Sequence, residues 1–161
     1  MKAANLIPQK VFTRENFIRE ANQSRLKSKN IVFTNGVFDL LHHGHLASLT
    51  QAASLGDILV VGVNSDASVK RLKGPNRPIH TEQHRALMLA SLAMVDAVII
   101  FEEDTPLNLI KAIMPDVLVK GGDYRVEQIA GAKEVIENGG KVVLADMIEG
   151  VSTTKIIESL Q

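Results

Sequence analysis

Three imidazoles in four positions, His42-His43-Gly44-His45, concentrate more chemistry than any other part of this sequence. His42 and His45 stand three apart, a spacing that turns both toward one side where a chain enters a helix. Gly44 between them carries no Cβ, so an anion can approach the backbone closely. A helix beginning near Gly44 would add amide donors and a partial positive charge at its N-terminus. Together these groups suit a phosphate whose charge grows during a reaction. The histidines alone leave two other readings open: capping of the helix, and metal ligation, a common role of imidazole. Nothing else favours a metal, since the chain has no Cys, no H-E-x-x-H and no paired carboxylate close by.

Such groups work only if a scaffold aims them. Apolar runs of strand length occur at Ile31-Val32-Phe33, Ile58-Leu59-Val60-Val61-Gly62-Val63, 95–101, Val117-Leu118-Val119 and Val142-Val143-Leu144. Each is followed by a polar or glycine-bearing turn and then by helical spacing, as at 46–55, 83–92, 106–113 and 132–137. This alternation specifies an α/β protein: one Rossmann-like, doubly wound domain with a mostly parallel, five-stranded sheet. Thr105-Pro106 reads as an N-cap followed by proline at the first helical position. A helix over 13–28, with Phe17, Ile18, Ala21 and Leu26 apolar, makes 1–28 an N-terminal helical extension and leaves 29–161 as the main domain. With Phe12, that helix has two uses open to it: covering the sheet, or building the interface of a homo-oligomer. The longest stretch without a clear element, 70–81, has the length of an active-site lid.

Composition narrows the function classes. The chain has 161 residues, 45% apolar and only 4% aromatic, enough for one sizeable core. Formal net charge is +0, so neither nucleic acid nor a membrane surface is an expected partner, and anion binding must be local. No stretch approaches the roughly 18 apolar residues of a membrane span, and no signal-like segment opens the chain. Cysteine is absent, which removes disulfides and thiolate chemistry. The expected setting is cytoplasmic.

In open α/β sheets ligands bind beyond the carboxyl ends of the strands. Thr34-Asn35-Gly36 through His45, Asn64-Ser65-Asp66, Lys120-Gly121-Gly122-Asp123-Tyr124 and Glu149 through Thr154 all fall there. Thr34 and Asn35 can donate to phosphate oxygens or close the turn. Gly121 permits a close nucleotide approach, and Asp123 can accept from ribose hydroxyls. Ser152, Thr153 and Thr154 precede the last helix, where capping and phosphate binding are compatible.

The run Gly36-Val37-Phe38-Asp39-Leu40-Leu41-His42-His43-Gly44-His45 resembles the G-x-F-D-x-x-H-x-G-H signature of the cytidylyltransferase-like nucleotidyltransferases. Gln83-His84-Arg85 and Val151-Ser152-Thr153-Thr154 resemble that superfamily's later motifs, so the likeness covers about 30–160. Val63 through Ser68, Lys70-Arg71-Leu72-Lys73-Gly74, Phe101 through Pro106, Leu118 through Tyr124 and Ile129 through Val135 resemble the adenylyltransferase subgroup acting on D-glycero-β-D-manno-heptose 1-phosphate. The resemblance implies a stand-alone enzyme, fed by a separate kinase, that joins ATP and the sugar 1-phosphate into ADP-heptose and pyrophosphate for lipopolysaccharide core assembly. A different phosphate ester, as in a glycerol-3-phosphate cytidylyltransferase, is the alternative. Cytidylyltransferases of the superfamily usually carry an arginine just before the Glu-Gly motif, whereas 145–148 here read Ala-Asp-Met-Ile.

By the same resemblance His42, His45 and Lys73 are the catalytic set, while His43 occupies the variable position. Lys73 would fold over the α-phosphate from a mobile loop; Lys70, Arg71 and Arg77 read from their positions as solvated, with an assisting role open to any one of them. Thr34, Asn35, Gly36, Phe38, Gly44, Arg85, Gly121, Asp123, Ser152, Thr153 and Thr154 would bind the nucleotide, Arg85 through a phosphate contact. Mg²⁺ is expected with the ATP, held by phosphates and water, with no protein ligand assigned.

Overall fold

Strands whose residues are apolar on both sides must be covered on both sides, and the computed structural model shows how. It describes residues 4–160; residues 1–3 of the expected extension, and Gln161, lie outside the described residues. Strands β1 (Val11–Phe12), β2 (Ile31–Gly36), β3 (Ile58–Asn64), β4 (Ala97–Phe101), β5 (Val117–Gly121) and β6 (Lys141–Ala145) form one sheet. Helices α1 (Arg14–Leu26), α2 (His43–Ala53), α3 (Asp66–Lys73), α4 (Glu82–Ala90), α5 (Leu107–Ile113), α6 (Ala132–Glu137) and α7 (Thr153–Ser159) alternate with them. No helix among the described residues is long and apolar enough to cross a membrane.

Successive side chains of a strand point to opposite faces. Ile31, Phe33, Val60, Ile99 and Leu118 therefore meet Phe17 of α1, Leu109, Ile110 and Ile113 of α5, and Val135 of α6. Val32, Leu59, Val61, Val63 and Val98 meet Leu49 and Ala52 of α2, with Ala86 and Leu89 of α4. Fully burying such a side chain contributes about 1.5–3 kcal/mol, so both layers carry stability.

Every pairing in the sheet is parallel, in the order β1-β4-β3-β2-β5-β6. Six strands stand where five were expected. The added one pairs Val11 and Phe12 with Val98 and Ile99 at the edge of β4; two residues are too few to leave a period in the sequence. From β2 the chain moves outward through β3 to β4, then crosses back to the other side of β2 for β5 and β6. The carboxyl ends of β2 and β5 thus flank the switch point, where connections diverge and leave a crevice.

At the opposite edge three carboxylates hold the strands level. Asp57 accepts from the Asn30 amide at 2.8 Å, Asp96 from Leu59 at 2.8 Å and Asp116 from Ile31 at 2.7 Å. Each satisfies a strand-entry N–H that the ladder leaves free.

Two local expectations change. The stretch expected to be loop from Lys70 begins as helix, because α3 runs to Lys73. Ser65 caps α3 by accepting from the Ser68 amide at 3.2 Å, and Lys70, Arg71 and Lys73 occupy its last turn, where cations complement the helix dipole. Pro106 rather than Thr105 takes the N-cap of α5, its carbonyl accepting from the Ile110 amide at 2.8 Å, with no side-chain cap.

Gly62 lies where the rings of Phe33 and Phe101 close over the middle of β3, and a Cβ there would sit 2.8 Å from Cζ of Phe33. Gly62→Ala is expected to destabilise by about 1–3 kcal/mol through overpacking. A lower urea midpoint at constant m-value is the expected result, and an unchanged midpoint contradicts this account.

Candidate active site

At the carboxyl edge of the sheet, over the switch point, opens a cleft of about 680 Å³. His42, Gly44, His45, Asn35, Gly36 and Phe38 line it from the β2–α2 side. Lys73, Gly121, Ser152, Thr153 and Thr154 line it from the ends of α3, β5 and α7. Three predicted residues do not: Thr34, Arg85 and Asp123 are absent from its wall.

His42 is the N-cap of α2, and its Nδ1 accepts from the Gly44 amide at 3.1 Å. Capping is therefore real, and it leaves Nε2 to carry the proton of the neutral ring. One turn on, the His45 ring stacks on His42 with centroids 3.8 Å apart and planes 25° from parallel. A Cβ on Gly44 would sit 3.0 Å from the His42 ring, so this glycine makes room for the imidazole as well as for an anion.

Nδ1 of His45 is buried with no hydrogen-bond partner. Burial first, and the neighbouring His42 second, push His45 down to about 4, while the Leu40 backbone opposes the shift without making a hydrogen bond that satisfies Nδ1. Burial also lowers His42. Both rings are neutral near pH 7 in the free protein, ready to donate or to take up a proton when an anion arrives.

Phe38 holds His45 from the other side, with ring centroids 5.1 Å apart. It does so at φ +50°, a left-handed conformation uncommon for a bulky residue and one that gathers at functional sites. The N-terminus of α7 is tied to the same turn. Ser152 accepts from the Lys155 amide at 3.1 Å, and the Thr153 hydroxyl donates to the Leu40 carbonyl at 3.1 Å.

Lys73 lies at the C-terminus of α3 rather than inside a loop. Lys120, at the end of β5 and not singled out from the sequence, lines the same cleft. Its Nζ is 5.7 Å from the centre of the Tyr124 ring. Burial, and then the charge of Lys73, hold Lys120 below the usual lysine range. Among the described residues neither lysine has a carboxylate partner within salt-bridge distance. Cations gathered without a counter-charge make a site for an anion. The signal for Lys120 was its place at a strand end beside two glycines, but only the strand order brings it into the same cleft as Lys73.

Arg85 is the largest correction. Only 1% exposed, it donates to the carbonyls of His80, Val37 and Asn64 and to the Asp66 carboxylate at 2.7–3.0 Å. Four of its five N–H groups are so engaged, and the side chain is buried outside the cleft wall, so Arg85 braces the loops beneath the cleft. Arg77, expected in solvent, pairs with Asp39 at 2.8 Å and lines the cleft. Thr34 lies buried within β2, and Asp123 is exposed beyond the cleft. No group of three His, Asp or Glu side chains poised to hold a metal occurs among the described residues.

Fold and site together define a nucleotidyltransferase domain: a parallel sheet whose switch point carries a histidine-capped helix N-terminus and two lysines. The chain belongs to the cytidylyltransferase-like family, which matches residues 33–159. It is 52% identical over 151 residues to the bifunctional protein HldE of Syntrophotalea carbinolica, covering 94% of this chain and 31% of the relative. For HldE of Caulobacter vibrioides the identity is 54%, over 92% of this chain and 31% of the relative. The chain thus spans about a third of the length of these relatives. Among solved structures, a lipopolysaccharide core biosynthesis protein from Thermoplasma volcanium is 30% identical with a TM-score of 0.59, over 74% of this chain and 97% of that one. A pantoate-beta-alanine ligase from Francisella tularensis, 16% identical with a TM-score of 0.60 over 92% and 76% of the two chains, shares the fold.

The histidine pair gives a pH dependence of definite sign. Between the ordinary value of 6.5 and the folded value of about 4, the unfolded chain binds the His45 proton and the folded one does not. Stability from this group is full above 6.5 and falls as pH drops through about 4. Urea midpoints from pH 7.5 to 4 should fall more steeply for the wild type than for His45→Gln; parallel curves would contradict the shift.

Lys120→Met is expected to leave Tm unchanged or raised, because a half-buried cation with no ion-pair partner among the described residues is removed. It should weaken ATP binding by about 10–100-fold, the range of a charge-assisted hydrogen bond. Calorimetric titration and a melting curve on the same sample check both parts. A lowered Tm with unaltered affinity would reverse the assignment.

Proposed function

We propose that this chain transfers AMP from ATP to D-glycero-β-D-manno-heptose 1-phosphate, giving ADP-heptose and pyrophosphate. The observation that carries the reading is one cleft lined both by two stacked neutral imidazoles and by two lysines that have no carboxylate partner among the described residues. An oxygen of the sugar phosphate attacks the α-phosphorus of ATP in line. The bond from that phosphorus to the α–β bridging oxygen breaks, and its electrons leave with pyrophosphate. The attacking oxygen is already ionised, so no general base and no protein nucleophile is needed, and positioning with charge stabilisation does the work. His42 and His45 donate to phosphate oxygens as charge builds, while Lys73 and Lys120 neutralise it within the same cleft. The α7 N-terminus, with Ser152 to Thr154, offers amides to the remaining oxygens, and Gly44, whose own amide caps onto His42, leaves room for their approach.

Mg²⁺ would accompany the triphosphate, held by substrate phosphates and water, since no group of three His, Asp or Glu side chains that could hold it occurs among the described residues. It would supply further charge neutralisation at the phosphates. The sugar and the base are supported by the subgroup-like segments from Val63 to Val135, by half-identical relatives, and by the missing arginine ahead of Glu149. The cytoplasm is the proposed setting.

A matrix of ATP and CTP against heptose 1-phosphate and glycerol 3-phosphate, read by pyrophosphate release, tests the proposal. Turnover is expected with ATP and the heptose; preference for CTP with glycerol 3-phosphate would overturn the substrate while keeping the family. In the productive pair, His45→Ala should lower kcat by about 10²–10³, the usual effect of losing one transition-state donor.

A further inference from the structure

The Asp39 carboxylate lies at the root of the cleft, 1% exposed, and is ringed by donors from a distant segment. It accepts from Nε of Arg77 at 2.8 Å, from the Ile79 amide at 2.9 Å and from the His80 amide at 3.0 Å. On its own, burial would raise its pKa. The two amides and Arg77 outweigh that and hold the carboxyl below its ordinary value, so it is anionic across the neutral range. The other end of the His80 residue is gripped too, its carbonyl accepting from Nε of Arg85 at 3.0 Å.

These two ions lace together three stretches that carry the site. Asp39, with Val37 held by Arg85, belongs to the turn that ends at His42. Asn64 and Asp66, also held by Arg85, open α3, and the Asp66 amide donates to Glu82 at 2.7 Å. Arg77, Ile79 and His80 belong to the segment that leaves α3 directly after Lys73. The helix carrying Lys73 is therefore fastened at its start and again just beyond its end. The second fastening runs to the turn that carries the histidines. Lys73 itself is exposed and without an ion-pair partner among the described residues, so its reach depends on where the backbone holds its Cα.

We propose that Asp39 and Arg77 form a positioning latch that sets Lys73 against the His42–His45 pair. The inference rests on reading the cleft as a phosphate-transfer site. Asp39 touches no substrate; it acts through Lys73. A carboxylate suits this role because two oxygens can accept from several donors at once, giving the loop one geometry.

The test is a double-mutant cycle read both in kcat/KM for pyrophosphate release and in ATP affinity. Asp39→Asn and Arg77→Ala should each cost about tenfold or more in the wild-type background and less than about twofold in Lys73→Ala, because residues acting through one group are non-additive. Losses that multiply would overturn the latch, and for Arg77 would mean that it contacts the substrate itself. Amide exchange gives a readout independent of any substrate. Asp39→Asn should speed exchange at Ile79 and His80 at least about tenfold while leaving Val60 in β3 unchanged, the pattern of local opening. Uniform acceleration through the core, or no change at Ile79 and His80, would overturn it. Should Asp39→Asn not fold, Arg77→Ala carries the cycle and the same exchange measurement. If heptose 1-phosphate proves not to be a substrate, the ATP-affinity and exchange arms still decide the latch, so the two failures stay distinct.

Discussion

The parallel pairing of β2 with β3 on one side and β5 on the other is the constraint from which the site follows. Parallel strands carry all their carboxyl ends to one edge, so the loops after β2, β3, β4 and β5 have nowhere to gather but the same rim. Because the chain reverses its direction of spread at β2, the loops there part instead of crowding, and the cleft opens between them. Asp57, Asp96 and Asp116, binding strand-entry amides at the far edge, keep the strands in register. A slip of one residue would turn every side chain of a strand to the opposite face and carry its loop off the rim.

The electrostatics of that rim are organised around charges left without partners. Three carboxylates at or beneath the cleft are paired, Asp39 with Arg77, Asp104 with Arg71 and Asp66 with Arg85, while Asp146 in the wall has no ion pair among the described residues. Lys73 and Lys120 have no such relief among the described residues, and Lys120 is lowered by burial first and by the charge of Lys73 second. The imidazoles avoid adding to that repulsion by staying neutral. A polyanion would relieve the repulsion, so the same arrangement that disfavours the empty cleft favours the filled one. Beneath the cleft, Asp39 and Arg85 tie the surrounding loops together through their hydrogen bonds.

Much of this was legible in the residues. Apolar runs of strand length separated by helical spacing required a doubly wound sheet, since helices must cover both faces of such strands and five runs are too few for an eight-stranded barrel. The glycine between two histidines, directly after a strand, pointed to an anion at a helix start. The cap at Ser152 followed from residue type, because a hydroxyl ahead of a helix has an amide to accept from.

Properties that depend on neighbours distant in the chain were not legible. Arg85 reads from its position as a phosphate ligand, yet four acceptors drawn from residues 37, 64, 66 and 80 enclose it. Lys120 reads as part of a turn until strand order brings it into the cleft that Lys73 lines. The β1 edge strand is too short for any period to reveal. Local residue types and spacing determined the fold class, the strand ends and the histidine-capped helix start, because those depend on backbone preference and on which faces must be buried. Only the tertiary structure decided which cations are free to meet a phosphate and which are consumed in bracing loops, because that depends on long-range partners and on burial.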